Sequence, residues 1–273
     1  MAVAMEITPR HRDLARFYTI AGHRLPSVTT ILDVIAKPGL APWYAKEERR
    51  YFETAMLDVL AKPGARDPEY VLAAVAEALS GVKAADRARQ QAATIGTAVH
   101  AGIEWHLRTQ LEQDAGQPPR LPEAAIWAVE SWKDWARSVA LEPLAIERVV
   151  YCGDCGYAGT LDLYARIQGR LTLLDWKTGR AIYPEAFLQN VAYRHAAARL
   201  ELPVEQGLIV RLPKVLNDPA WEMMTVPDAL GLEDFLAALR LWRWQRRMAG
   251  RPVGTAGPGC VPTVGPAALA SAR

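Results

Sequence analysis

The 273-residue sequence is poor in cysteine, in long apolar runs and in net charge, and each shortage excludes something. Three cysteines cannot build a disulfide framework and suit a reducing compartment. No stretch reaches the roughly 20 consecutive apolar residues of a membrane-spanning helix, and residues 1–12 lack the apolar centre of a secretory signal. A soluble, cytoplasmic protein with no membrane partner is therefore expected. Lys and Arg number 32 against 30 Asp and Glu, a formal charge of +2. That balance removes the easiest sign of a nucleic-acid partner without excluding one, because a phosphate-facing patch and an acidic metal site cancel in the sum. What is plentiful is core material: 51% of residues are hydrophobic and only 23% charged, which excludes global disorder.

The first half reads as mostly helical. A short strand pair is expected over 17–25, turning at Ala21-Gly22-His23, followed by a helix capped by Ser27. Further helices are expected from Pro42 through Arg50, over 68–79, over 84–111, and from Pro122 through Val139. In the helix over 84–111, Ile95, Val99, Ile103, Leu107 and Leu111 form an apolar stripe. The period then changes. Strand-like runs occupy 144–151, 157–167 and 170–176, the last two joined tightly through Gln168-Gly169. A helix is expected over 184–200, strands over 206–212 and 221–226, and a last helix over 232–248. Residues 250–273 hold nine Gly or Pro without periodicity and read as a flexible tail. The order predicts an α/β fold around a small mixed sheet flanked by helices. It is read as one domain over 1–249, with a helical N-terminal part (1–83), a core (84–226) and a C-terminal helix (227–249).

The chemistry concentrates between Gly159 and Tyr193. Asp162 alternates with apolar neighbours on one strand, and Asp175-Trp176-Lys177 closes the next. Alternation sends Asp175 and Lys177 to one face and Trp176 to the other. Two carboxylates and an ammonium are costly to gather at a buried edge unless a hard cation such as Mg²⁺ or Mn²⁺ repays the cost. Taken singly, Asp162 also fits an edge position and Asp175-x-Lys177 a solvated pair. Gln189 and Tyr193, four apart, share one face of the following helix, and His100 stacks with Glu104 on the long helix one turn after Gly96.

Gly96-Thr97-x-x-His100, Gly159-Thr160-x-Asp162, Asp175-x-Lys177-Thr178-Gly179 and Gln189-x-x-x-Tyr193, in this order and spacing, resemble the PD-(D/E)XK nucleases, in particular the RecB-like, phage-type exonuclease branch. Pro26-Ser27-Val28-Thr29 is similar to the opening of phage members. The resemblance implies a restriction-endonuclease-like core and a Mg²⁺- or Mn²⁺-dependent deoxyribonuclease using one or two ions. His100, Asp162, Asp175 and the backbone carbonyl of Trp176 would be metal ligands. Lys177 would orient or help deprotonate the attacking water and stabilise charge on the phosphate. Gln189 and Tyr193 would contact the DNA backbone and position that lysine. Glu147 matches a common acidic position, with a surface glutamate on an edge strand as the alternative, and Glu104 stands beside it in the second rank. The implied partner is linear DNA, single- or double-stranded, in phage or bacterial recombination or processing, with an annealing protein or a helicase as a further partner. A restriction-like or structure-specific endonuclease, and an inactive DNA-binding module, are the alternative functions.

Other features carry two readings. Arg240, Arg243, Arg246 and Arg247, interleaved with Trp242 and Trp244, fit a DNA-backbone track, to which Thr178 is joined, or an amphipathic helix with solvated arginines. Lys46, Arg49 and Arg50 form a second such patch. Trp127, Trp132 and Trp135 read as core residues of one helix. Some RecB-like relatives hold an iron–sulfur cluster on four cysteines. The number and placement of Cys152, Cys155 and Cys260 do not match it, so no cluster is expected and Cys152-x-x-Cys155 reads as a turn. His11, His23, His106 and His195 fit no ligand spacing.

Overall fold

The computed structural model describes residues 6–10, 13–213, 218 and 220–255. The described chain groups into two compact units, Ala36–Ile95 and the remainder, Met1–Ile35 with Gly96–Arg273. The division after Ile95 falls inside a helix.

The larger unit is built on a five-stranded sheet, β4(Glu142–Cys152), β5(Tyr157–Ile167), β6(Arg170–Thr178), β7(Gln206–Leu212) and β8(Glu222–Thr225), in that spatial order. β4, β5 and β6 form an antiparallel meander, β7 lies parallel to β6, and β8 returns antiparallel. The parallel step is made by helix α6(Pro184–Arg199). This mixed α/β architecture matches the fold class read from the periodicity. A second sheet, β1(Glu6–Arg10), β2(Asp13–Ile20) and β3(His23–Pro26), precedes it. The N-terminal part is therefore not simply helical. The expected strand pair is present, but β2 starts four residues earlier than read and β1, charged and interrupted by Pro9, had no strand-like pattern to announce it.

Helix α1(Val28–Leu32) follows β3, and the Ser27 hydroxyl caps it by accepting from Thr30 N–H (3.1 Å). The smaller unit holds α2(Leu40–Leu60) and α3(Pro68–Leu79), and α4(Ala84–Gln110) runs out of it into the larger unit. α2 is 21 residues long, more than twice the segment expected, because nothing before Lys62-Pro63-Gly64 breaks it. α5(Glu123–Ser138) and α7(Leu232–Met248) complete the set.

β5 is buried along almost its whole length and β6 over Thr172–Trp176, as strands covered on both faces must be. Trp176 packs edge-on against Trp132 and Trp135 of α5, at centroid distances of 6.1 and 5.3 Å. Asp175, its neighbour in sequence, faces Gln189 of α6 instead. The single-residue alternation of β6 therefore assigns α5 and α6 to opposite faces. On the α6 side, Tyr18, Leu25, Ile31, Tyr157, Leu161, Ala196 and Phe235 join β2, β3, α1, α6 and α7 into one core. Trp127 departs from expectation: it is exposed, while Trp132 and Trp135 are buried.

The segment read as a flexible tail starts as a docked one. Thr255 N–H donates to Arg24 O (2.9 Å), Arg24 N–H donates to Thr255 Oγ1 (2.7 Å), and Pro252 O accepts from Arg246 Nε (2.6 Å). These bonds extend the edge at β3, which is why Gly250–Thr255 hold a place without periodicity. The rest of that tail, 256–273, and with it Cys260, lies outside the described residues, as does His11.

Candidate active site

The meander brings Asp162 and Asp175 to the point where β5 and β6 part. Their last paired residues are Leu163 and Leu174, one step away. Beyond it the Asp162 side chain replaces the ladder: its Oδ2 accepts from Trp176 N–H at 2.7 Å. Losing one backbone bond thus opens the sheet while satisfying the freed amide. The other oxygen, Oδ1, lies 3.5 Å from Nδ1 of His100, which α4 delivers from above the stripe of Val99, Ile103 and Leu107.

Glu147 completes this group. It sits between the pairs Ile146↔Leu163 and Arg148↔Leu161, across from Asp162, and its carboxylate is 4.0 Å from His100 Nδ1. Its φ of 47° places a non-glycine residue in the left-handed region, a conformation that costs about 1–2 kcal/mol and concentrates at functional sites. Ligand atoms of His100, Glu147 and Asp162 all lie within 4.8 Å of one another. Burial pushes the Glu147 carboxyl up to about 8, helped by the charges of Asp162, Glu104 and Asp175 and opposed by Arg108. Glu104 itself is bound by Arg108 one turn on (2.7 Å), so its charge, not a free carboxylate, reaches the cluster.

Asp175 is bound differently. It is fully buried. Its Oδ1 accepts from Gln189 Nε2 (2.7 Å), and its Oδ2 is ion-paired with Lys177 without a directed hydrogen bond. Burial raises its pKa to about 6 against the opposing pull of Lys177. Gln189 is the hub: Nε2 also reaches Tyr193 Oη (3.2 Å), and Oε1 accepts from Lys177 Nζ (3.0 Å). Gln189 and Tyr193 are both buried, placed to hold Lys177 and Asp175 rather than to meet a ligand at the surface. Gly159 makes room for this arrangement, since a Cβ there would overlap the Tyr193 ring. Lys177 keeps 32% of its side chain open to solvent, which leaves its ammonium available to an anion. Thr178 is half-buried, with its hydroxyl against Gly96, and the following Gly179 carbonyl is fixed by buried Arg211 (3.3 Å).

One imidazole nitrogen and a set of carboxylate oxygens form a hard donor group with a borderline nitrogen, the chemistry of Mg²⁺ and, more so, Mn²⁺. The residues fit such an ion by their geometry, since one imidazole and two carboxylates converge within 4.8 Å. The neighbouring carboxylates also add to the burial that pushes Glu147 up, a tension a divalent cation would relieve. The Trp176 backbone contributes its amide to Asp162.

The arginines of α7 divide. Arg243 donates to the carbonyls of Cys155 (2.9 Å) and Gly156 (3.2 Å), and Arg246 is buried over the rings of Phe17 and Trp242. Only Arg240 and Arg247 of the four are exposed, so the expected DNA track loses half its members to internal contacts. His195, expected to have no ligand partners, is brought by α6 to Cys152 and Cys155, with ligand atoms within 4.8 Å.

No family model and no curated protein matches the sequence. Among solved structures, the chain aligns with one described as the crystal structure of SSO0001, at 11% identity and a TM-score of 0.31, over 58% of this chain and 75% of that one.

Proposed function

We propose that the chain is a metal-dependent deoxyribonuclease of the PD-(D/E)XK type with a restriction-endonuclease-like core, acting on linear DNA as an exonuclease in recombination or processing. The observation that carries the reading is the convergence of His100, Glu147 and Asp162 beside an Asp175–Lys177 pair locked by Gln189. Supporting it are the four-motif sequence order and the placement of both aspartates where two strands separate.

A phosphodiester is anionic and repels hydroxide, so hydrolysis needs positive charge at the non-bridging oxygens and an activated water. His100, Asp162 and Glu147, with Asp175 alongside, would hold Mg²⁺ or Mn²⁺, which would supply Lewis acidity and a more acidic water. The chain's own residues do the rest. Gln189 fixes Lys177 Nζ, and Asp175 offsets its charge, so the ammonium is oriented before a phosphate arrives. Lys177 then stabilises charge growing on the phosphate oxygens. Trp176 N–H holds the Asp162 carboxylate in one rotamer, leaving its other oxygen toward His100.

The test is a time course on end-labelled single- and double-stranded DNA with Mg²⁺ or Mn²⁺. Metal-dependent loss of label, abolished by chelator, is expected; no cleavage of any linear DNA with either ion would overturn the reading.

A further inference from the structure

We propose that Cys152, Cys155 and His195 form a second metal site, for one soft divalent cation of the Zn²⁺ class, which clips the β4–β5 hairpin to α6. The hairpin turn is shaped for it. Cys152 ends β4, and Gly156 N–H donates to Cys152 O at 2.8 Å. Gly156 has φ 77°, the left-handed region that glycine enters without a Cβ penalty, and this reverses the chain directly after the second cysteine. Cys155 N–H donates to Cys152 Sγ (3.2 Å), which fixes the position of that sulfur inside the turn. Arg243 pins the turn from outside through the carbonyls of Cys155 and Gly156.

His195 arrives from α6 with its tautomer already set. Tyr157 Oη gives its single proton to Ala192 O (3.0 Å), so towards His195 Nδ1, 2.9 Å away, it can only accept. Accepting from Nδ1–H would leave the lone pair on Nε2, the arrangement in which a supporting partner presents an imidazole to a metal. The three ligand atoms lie within 4.8 Å of one another. Around tetrahedral zinc, bonds of about 2.3 Å to sulfur and 2.0 Å to nitrogen put ligand atoms about 3.5–3.8 Å apart, so closure asks for about 1.3 Å or less. The spacing Cys-x-x-Cys is that of zinc sites, and thiolate with imidazole discriminates against Mg²⁺. Water takes the fourth position, on the half-buried Cys155 side. The site is separate from the oxygen-rich group at His100 and does not depend on the nuclease reading.

The full-length protein, reduced and stripped with chelator, is titrated with Co²⁺ and followed by the sulfur-to-cobalt charge-transfer band, then back-titrated with Zn²⁺. One equivalent is expected to produce the band and one Zn²⁺ to remove it. Cys260→Ser and Asp162→Ala leave it unchanged. Cys155→Ser and His195→Asn each weaken binding by more than the about 10–100-fold expected for Tyr157→Phe, which removes only the supporting oxygen. Circular dichroism monitors folding, and His195→Asn carries the test should Cys155→Ser not fold. No charge-transfer band in the reduced wild-type protein, or a band unchanged in both ligand variants, would overturn the proposal.

Discussion

Asp162 shows how one side chain can do two things. Its Oδ2 stands in for a missing strand bond while its Oδ1 faces His100, so its position is held by the fold and not by a metal. Glu147 pays the electrostatic penalty of the same design, and the sign of that penalty is testable. Both Glu147 and Asp175 have native pKa values raised above those of the unfolded chain, to about 8 and about 6. The native state therefore binds more protons than the unfolded one between about pH 4 and 8. The stability these groups lend is complete below about pH 4 and is lost as pH rises through 6 and then 8. Metal-free protein is expected to lose thermal stability across that window, and Glu147→Gln is expected to flatten its upper part, between pH 6 and 8, in melting curves followed by circular dichroism. A stability that rises from pH 6 to 8 in the wild type would contradict the assignment. Lys177→Ala is expected to lower kcat by about 10²–10³-fold, since it removes a charge acting on the reacting phosphate while leaving Asp175 its Gln189 partner. Rates on linear DNA with saturating metal measure this.

At the scale of elements, the strands were the most legible part of the chain. Alternation along Asp175-Trp176-Lys177 placed Asp175 and Lys177 on one face and Trp176 on the other, and the observed partners of Trp176 and Asp175 follow that division. Glu147 ranked lower because in sequence it reads equally well as a surface glutamate on an edge strand; its left-handed φ, which pattern does not reveal, accompanies its inward placement. The Cys–Cys–His group was illegible for another reason: His195 is 40 residues beyond Cys155, and only the α6 crossover returns it. The internal use of Arg243 and Arg246 was hidden as well, since a helical pattern does not reveal which carbonyls or rings will face it. Close packing of α6 on β5 gives a direct test. Gly159→Ala drives a methyl into the Tyr193 ring and is expected to cost about 1–3 kcal/mol in urea unfolding, and to reduce activity through the displaced Tyr193–Gln189 pair. The docked segment gives another. A chain ended at Ala249 is expected to be about 1–2 kcal/mol less stable than one ended at Thr255, because the second keeps the bonds to Arg24 and the acceptor for buried Arg246.

For the whole molecule, the formal charge of +2 hides a separation. Carboxylates gather at Glu104, Glu147, Asp162 and Asp175, and Arg240 and Arg247 are among the arginines exposed elsewhere. Composition sums over that separation, which is why charge alone carried no functional information. The five-stranded mixed sheet and its covering helices were legible from periodicity, whereas the division at Ile95 was not, because α4 passes through it without a break in pattern. No described helix is long and apolar enough to cross a membrane. On the proposed exonuclease reading, linear DNA is expected to be degraded and a closed circle spared; cleavage of the circle at a comparable rate would favour the endonuclease alternative. The central claim, that the group at Asp162 is the centre of a metal-dependent nuclease, is tested most directly by comparing Asp162→Ala with the wild type in initial rates on end-labelled linear DNA with Mn²⁺. A loss of about 10³-fold or more, with unchanged circular dichroism, is predicted; wild-type cleavage by the folded variant would contradict it.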